Sequence, residues 1–308
     1  MISSKDILKK RILLIGSNGR LGQQLANLYK DQNKIELLCC SNQDESFVDG
    51  VEYRTLDITQ KEEVKEVILD FFPDFVINSA AYTNVDKSEI ERELAWKINV
   101  SGVEYMAQYS RIIDAHIIHI SSDYIFDGKN GPYTEKDLPH PVGYYGRTKH
   151  AAENVLRIGG TKYTIIRPNV LYGSSINNQP DFVQWVIESL KAGKEINIVT
   201  DQINNPTYIP DLADMIKRVI EYEKDGIYNI GGREFMTRFE FTKRIAKFFN
   251  LDETLIKPIT TEELKQPAAR PLKAGLITLK AETELNYKPL SIEETFIRIK
   301  KELQIEVE

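Results

Sequence analysis

"RILLIGSNGRLGQQL", residues 11–25, decides how the rest of the chain is read. An apolar run, Ile12 to Ile15, breaks into Gly16-x-x-Gly19-x-x-Gly22 and then into a helical pattern. Each glycine has a physical task there. Gly16 permits the tight turn out of a strand, Gly19 lets backbone approach a pyrophosphate, and Gly22 lets helix and strand pack closely. The start of the helix then presents unpaired N–H groups and the positive end of its dipole to phosphate. The spacing is GxxGxxG rather than GxGxxG, and its place in the first strand–helix unit predicts dinucleotide binding.

The same rhythm continues outward. Apolar runs recur at "IELLCC" (35–40), "FVINSA" (75–80), "HIIHIS" (116–121) and "YTIIR" (163–167). Helical patterns separate them: "LGQQLANLYKDQ", "KEEVKEVILDFF" and "ELAWKINVSGVEYMAQYS". Strands apolar on both faces, alternating with helices, imply a parallel sheet covered on both sides. Right-handed crossovers then give a doubly wound α/β (Rossmann) fold. Past Arg167 the rhythm loosens. "SSINNQPD" (174–181) reads as a loop, and "DFVQWVIESLKAGK", "DLADMIKRVIEYEK" and "FEFTKRIAKFFNL" read as helices. Pro258, Pro267 and Pro271 cut the C-terminal region into short pieces. The expected division is a nucleotide-binding domain of residues 1–170 plus about 205–232 and a smaller C-terminal α/β substrate-binding cap on the carboxyl edge of the sheet. That cap takes about 171–204 and 233–308.

Composition excludes several classes. The 308 residues are 42% apolar, with 15 Tyr and 12 Phe, as in a folded globular chain. Net charge is −6 with both signs interspersed and no basic block, so nucleic acid is not an expected partner. No apolar stretch reaches membrane-spanning length, "MISSKDILKK" lacks a signal-peptide core, and the two cysteines, Cys39 and Cys40, are adjacent and have no zinc spacing. A cytoplasmic setting is the simplest reading, and no metal site is expected.

The cofactor's identity turns on the second strand. An acidic residue at its end would hold the ribose 2′-OH of NAD. Here it ends "CCSNQ", with no carboxylate before Asp44, while Arg20 stands in the glycine loop, where it could meet a 2′-phosphate. The reading is NADPH, with NADH as the alternative.

Chemistry is suggested by "GYYGRTKH", residues 143–150. Tyr145 and Lys149, four apart, share a helix face. A phenol with a pKa near ~10 is a poor acid or base at neutral pH, and a neighbouring ammonium is expected to lower it. Of the fifteen tyrosines only Tyr145 has a lysine four residues on. Upstream, "HISSDYIFDG" places Ser121 and Ser122 at a strand end on the cofactor's side, where a hydroxyl can bond a substrate carbonyl.

The glycine loop, the serine and YxxxK in this order resemble the extended short-chain dehydrogenase/reductases. The chain is more closely similar to the dTDP-4-dehydrorhamnose reductases and related sugar-nucleotide reductases. "GSNGRLGQQL", "VINSAAYTNVDKSE", "AWKINVSG", "HISSDYIFDG", "YYGRTKHAAE", "DQINNPTYIPDLAD" and "RPLKAGL" carry the likeness, from residue 11 to about 290. The resemblance implies that Gly16, Asn18, Gly19, Arg20 and Leu21 contact the cofactor's pyrophosphate and ribose. It puts Asp57 and Ile58 at the adenine and Ala81, Tyr82 and Thr83 along the cofactor's centre, and counts Ala80 and Pro168 among the cofactor-binding residues. Ser122, rather than Ser121, matches the catalytic hydroxyl. Tyr145 and Lys149 complete the catalytic set, Lys149 also meeting the nicotinamide ribose, and Asn99 helps hold the geometry. Thr83, Val85, Ser122, Asp123, Tyr124 and Tyr145 would face the sugar, and Arg270 the diphosphate. A homodimer is left open.

The likeness has departures. The family usually reads "RTSW-YG" where this chain has "RPNVLYG", so a sugar-contacting tryptophan is Val170 here, and Asn-Ser after the C-terminal Arg-Pro is Lys273-Ala274. Both leave hydride chemistry intact and bear on which sugar nucleotide is taken. The implied reaction is reduction of the C4 ketone of a 4-keto-6-deoxy sugar nucleotide. Related dehydratases carry Asp-Glu after the hydroxyl, whereas this chain reads Ser122-Asp123-Tyr124; epimerase-reductases of the GDP-fucose type use a Cys and a His near the sugar. The alternatives are another sugar-nucleotide epimerase or reductase, or a non-catalytic NADP-binding regulatory subunit like the β subunit of methionine adenosyltransferase.

Overall fold

The structure, a computed structural model, describes residues 9–173 and 180–304. Its centre is a seven-stranded sheet of β1 (Lys10–Ile15), β2 (Ile35–Ser41), β3 (Glu52–Thr55), β4 (Phe75–Asn78), β5 (His116–Ile120), β6 (Tyr163–Pro168) and β7 (Gly226–Ile230). The spatial order is β7-β6-β5-β4-β1-β2-β3 and every pairing is parallel. The order reverses at β1, where crevices for ligands form at the strands' carboxyl ends. Five of the strands are the apolar runs of the sequence. The other two, β3 (EYRT) and β7 (GIYNI), were not legible: β3 is an edge strand whose four side chains are exposed or half-buried, so it lacks an apolar signature.

Helices cover both faces. α1 (Arg20–Tyr29) lies on one side and α2 (Lys61–Phe71), α4 (Gly102–Ile112) and α5 (Tyr144–Ile158) on the other, with the short α3 (Arg92–Trp96) leading into α4 through a π-turn at Lys97–Ser101. Leu13, Ile15, Val76 and Ile117 point into one core layer, Ile12, Leu14, Ile77 and Ile118 into the other, as strand alternation requires.

α6 (Phe182–Lys191), α7 (Ile209–Glu221) and α8 (Arg238–Phe248) follow. α7 returns to the sheet beside α1, whereas α6 and α8 share a separate core with Tyr172, Ile196, Phe296 and Ile299. The expected loop at 174–181 lies outside the described residues except for Pro180 and Asp181; Asp181 caps α6 in a reciprocal box with Gln184. One expectation needs correction. Residues 279–287 do not join the cap core: Ala281, Leu285 and Tyr287 are buried with β1, α1 and α7 under the sheet. The helix Leu279–Leu285 carries too few apolar positions to reveal which core they serve.

Candidate active site

Parallel strands bring the loops after β1, β4 and β5 to one edge. Gly16 sits at φ +82°, and a Cβ there would lie 2.5 Å from the backbone N of Ala80. A Cβ on Gly22 would lie 2.1 Å from the Gly16 carbonyl oxygen, so the helix can approach its own entry turn only as glycine. Gly19 is the N-cap of α1 and offers no side chain to the first-turn N–H groups. That cradle suits a pyrophosphate, and Arg20 and Leu21 open the helix above it. The Asn18 side chain is bonded within the protein. Its amide donates to the Glu45 carbonyl (2.8 Å) and Gln43 Oε1 (3.3 Å) and accepts from Phe47 N–H (2.9 Å), tying the glycine loop to the segment after β2. Its side chain therefore shapes the loop, and its backbone carbonyl accepts from Gln23 Nε2 at 2.7 Å.

Beside that loop, β2 ends in neutral groups. Ser41 Oγ donates to Gln43 Oε1 (2.6 Å), and Tyr53 OH bonds the Gln43 carbonyl at 2.6 Å and Ser41 Oγ at 2.7 Å. Asp57 accepts from Thr59 N–H at 2.9 Å to shape the next turn, while Ile58 is buried against Gly102. Ala80, Ala81 and Tyr82 are half-buried along the same edge, Thr83 is exposed, and Pro168 is buried at the end of β6.

Asn99 sits in the π-turn between α3 and α4, a departure from α-helix that recurs at functional sites. Its side chain accepts from Tyr82 N–H (2.8 Å) and donates to the Tyr82 carbonyl (3.2 Å) and Thr148 Oγ1 (2.9 Å). Thr148 in turn donates to the Tyr145 carbonyl at 2.8 Å. Asn99 thus clamps the cofactor-side loop to the helix that carries Tyr145; Thr148, adjacent to Lys149, gave no sequence signal of this role.

Ser122, Tyr145 and Lys149 are all buried. Ser122 Oγ donates to Asp123 Oδ1 (3.0 Å) and accepts from Tyr124 N–H (3.2 Å). Lys149 Nζ donates to the Ile120 carbonyl at 2.6 Å, and burial draws its pKa down to about 8. The expectation that Lys149 lowers the Tyr145 pKa is overturned: burial, then the Asp123 carboxyl, raise it above the ordinary phenol value, the Ser122 hydrogen bond only partly opposing them. A buried phenolate costs more than the Ser122 hydrogen bond returns. The phenol therefore stays protonated near neutral pH. Asp123, fully enclosed, has its pKa raised by burial to about 7 and also touches Asn169 Nδ2 (3.3 Å), which donates to the Ala274 carbonyl (2.8 Å).

Toward the cap, Tyr124 meets the Tyr145 ring edge-on at 5.7 Å and lies 6.0 Å from the Arg270 guanidinium. Arg270 pairs with Asp86 at 3.0 Å and donates to the Ala268 carbonyl at 2.9 Å. Val85 and Val170 are half-buried at this side. Arg238, which the sequence reading passed over, stacks on Phe182 with 4.1 Å to the ring centroid and feels both Tyr124 and Arg270. Its position at the start of α8 looked like an ordinary helix residue, and only folding turns it to the site.

Behind α5, Glu153 and Arg167 form a buried pair at 2.6 Å with a second contact of 2.9 Å, and Ser121 Oγ donates to Glu153 at 2.6 Å. Ser121, the serine not chosen as catalytic, faces this strut instead.

The family model described as RmlD substrate binding domain matches residues 10–305. A dTDP-4-dehydrorhamnose reductase of Aggregatibacter actinomycetemcomitans is 32% identical over 291 residues, covering 91% of this chain and 94% of that one. The methionine adenosyltransferase 2 subunit beta of Rattus norvegicus is 30% identical over 284 residues, 90% of this chain and 83% of that one. Among solved structures, the dTDP-4-dehydrorhamnose reductase of Bacillus anthracis in complex with NADP superposes with a TM-score of 0.83 at 32% identity, over 96% of this chain and all of that one.

Proposed function

Because the chain belongs to the RmlD substrate-binding-domain family, we propose that it is an NADPH-dependent oxidoreductase that reduces the C4 ketone of a 4-keto-6-deoxy sugar nucleotide. One observation carries this reading: Ser122 and Lys149 are buried at the carboxyl end of β5 and Tyr145 beside Ser122, with the phenol held protonated. The cradle, closed by Gly16 and Gly22 and left uncapped at Gly19, fits a dinucleotide pyrophosphate. The neutral Ser41–Gln43–Tyr53 cluster supports NADPH over NADH, because it presents no carboxylate to repel a 2′-phosphate. When bound, the nicotinamide supplies the hydride. Tyr145 gives its proton to the oxygen that becomes negative, and Ser122 Oγ, held by Tyr124 N–H, turns its single O–H from Asp123 to that oxygen. Arg270 and Arg238 hold the phosphate side of the substrate, one aromatic ring beyond the proton donor. Asn99 keeps the Tyr82 loop and α5 in register.

A second reading, an NADP-binding regulatory subunit, is favoured by the 30% identity over 90% of the chain to the methionine adenosyltransferase subunit. A panel of keto-sugar nucleotides with NADPH, followed at the cofactor's absorbance, separates the two. Oxidation of NADPH by a 4-keto-6-deoxy compound is expected; a purified, cofactor-binding protein inert to all of them would favour the subunit. The two cysteines are free and buried, no described helix is long and apolar enough to cross a membrane, and the reading carries a cytoplasmic setting and leaves a homodimer open.

A further inference from the structure

Behind Lys149 lies a chain of hydrogen bonds whose donors and acceptors can be assigned one by one. It starts at a backbone group. Ala80 N–H has no choice but to donate, and it does so to Asn78 Oδ1 at 3.1 Å. The Asn78 carboxamide is thereby oriented, oxygen toward Ala80 and nitrogen away. Asn78 and His119 are cross-strand partners in β4 and β5, and Asn78 Nδ2 lies 3.1 Å from His119 Nδ1. An amide nitrogen can only donate, so Nδ1 must carry a lone pair. Burial, with the Lys149 charge adding to it, keeps the imidazole neutral. A neutral ring with a bare Nδ1 carries its proton on Nε2. That Nε2 lies 3.5 Å from Lys149 Nζ.

This sets a donor against a donor. An ammonium has three N–H groups and no acceptor. One of them reaches the Ile120 carbonyl, and among the described residues no other protein oxygen accepts from Nζ. The His119 direction offers a proton where the ammonium also offers one. Once Lys149 has given a proton up, its lone pair can turn to Nε2–H and the mismatch disappears.

We propose that the Asn78–His119 pair is a positioning device that fixes the Nε2–H tautomer and so favours the neutral amine of Lys149. The inference rests on the reductase reading above. The balance is simple. The proton that Lys149 gives up goes to bulk water, and the lone pair left on Nζ accepts from His119 Nε2–H. His119 keeps its own proton throughout. Other charged groups around Lys149 do not undo this. Glu153, one turn on along α5, favours the ammonium, yet its carboxylate is committed to Arg167 of β6 and to Ser121. Asp123, following β5, acts on Tyr145.

The test reads the tautomer and the lysine directly, so it stands apart from whether any keto-sugar is reduced. In wild-type protein labelled with ¹⁵N-histidine, long-range ¹H–¹⁵N correlation should show His119 protonated on Nε2 alone. Protonation on Nδ1 overturns the proposal without any variant. In Asn78→Asp, the new carboxylate accepts from both Ala80 N–H and the ring, so the tautomer should move to Nδ1–H and Nε2 becomes an acceptor for the ammonium. The Lys149 midpoint, followed through ¹³Cε of labelled lysine, should then rise by about one pH unit or more, a tenfold change in its ionisation. In a His119→Leu background the same substitution should move it far less, since only the through-space charge remains. An equal shift in both backgrounds, or a flipped tautomer with an unmoved lysine, refutes the tuning.

Discussion

Replacing Tyr145 by phenylalanine tests the proton donor most directly. The ring's packing is kept: Tyr145 meets Tyr124 edge-on at 5.7 Å, and its helix is held through the Tyr145 carbonyl by Thr148, neither of which needs the hydroxyl. The fold should lose only the hydroxyl's own hydrogen bond, about 0.5–1.5 kcal/mol, so cofactor affinity is expected to persist. Catalysis should suffer far more. A general acid contributes typically about 10²–10⁴-fold. The site offers poor substitutes, because Lys149 Nζ is anchored on the Ile120 carbonyl at 2.6 Å and the Ser122 hydroxyl is a far weaker acid than a phenol. The upper part of that range is therefore expected, about 10³–10⁴-fold in kcat, or about 4–5.5 kcal/mol at 1.36 kcal/mol per decade. Single-turnover oxidation of bound NADPH, with 4-deuterated cofactor as a parallel sample, measures it. Turnover within about tenfold of wild type, with cofactor affinity and melting unchanged, would refute the assignment.

Asp123 gives a pH prediction. Its pKa is raised to about 7, so the carboxyl is neutral below that pH and a carboxylate above it. As a carboxylate it stands beside the phenol and opposes negative charge on the substrate oxygen, so kcat/KM should fall above about pH 7, and Asp123→Asn should remove that limb. The same shift acts on stability: the native state holds this proton more tightly than the unfolded chain, so the carboxyl's contribution is full below about pH 4 and is lost as pH rises to about 7. Glu153→Gln strands the buried Arg167 charge and should cost about 3–5 kcal/mol in denaturant unfolding; a loss under about 1 kcal/mol would show the pair to be dispensable. Val170→Trp narrows the sugar side and should change the ratio of kcat/KM between dTDP-4-dehydrorhamnose and other 4-keto-6-deoxy sugar nucleotides by about 1–3 kcal/mol; an unchanged ratio would mean that position 170 does not touch the sugar.

Much of this protein was written locally. Gly16, Gly19 and Gly22 lie within seven residues, and five sheet strands are continuous apolar runs, so period and spacing alone disclosed the doubly wound sheet and its phosphate cradle. Tyr145 and Lys149 sit one helical turn apart, which made the pair legible too. What stayed hidden depends on contacts between distant segments. β3 is half-exposed and shows no apolar run; residues 279–287 chose the sheet's core over the cap's; and Arg238 came near Tyr124 and Arg270 only when α8 packed beside Phe182. The protonation chemistry is the sharpest case. Sequence placed an ammonium near a phenol and predicted a lowered pKa. Folding buried both, set Asp123 beside the phenol and brought His119, oriented by Asn78 across 41 residues, up to the lysine. Pattern reports which groups are neighbours along a helix, whereas desolvation and hydrogen-bond direction, which decide where a proton rests, are properties of the packed interior.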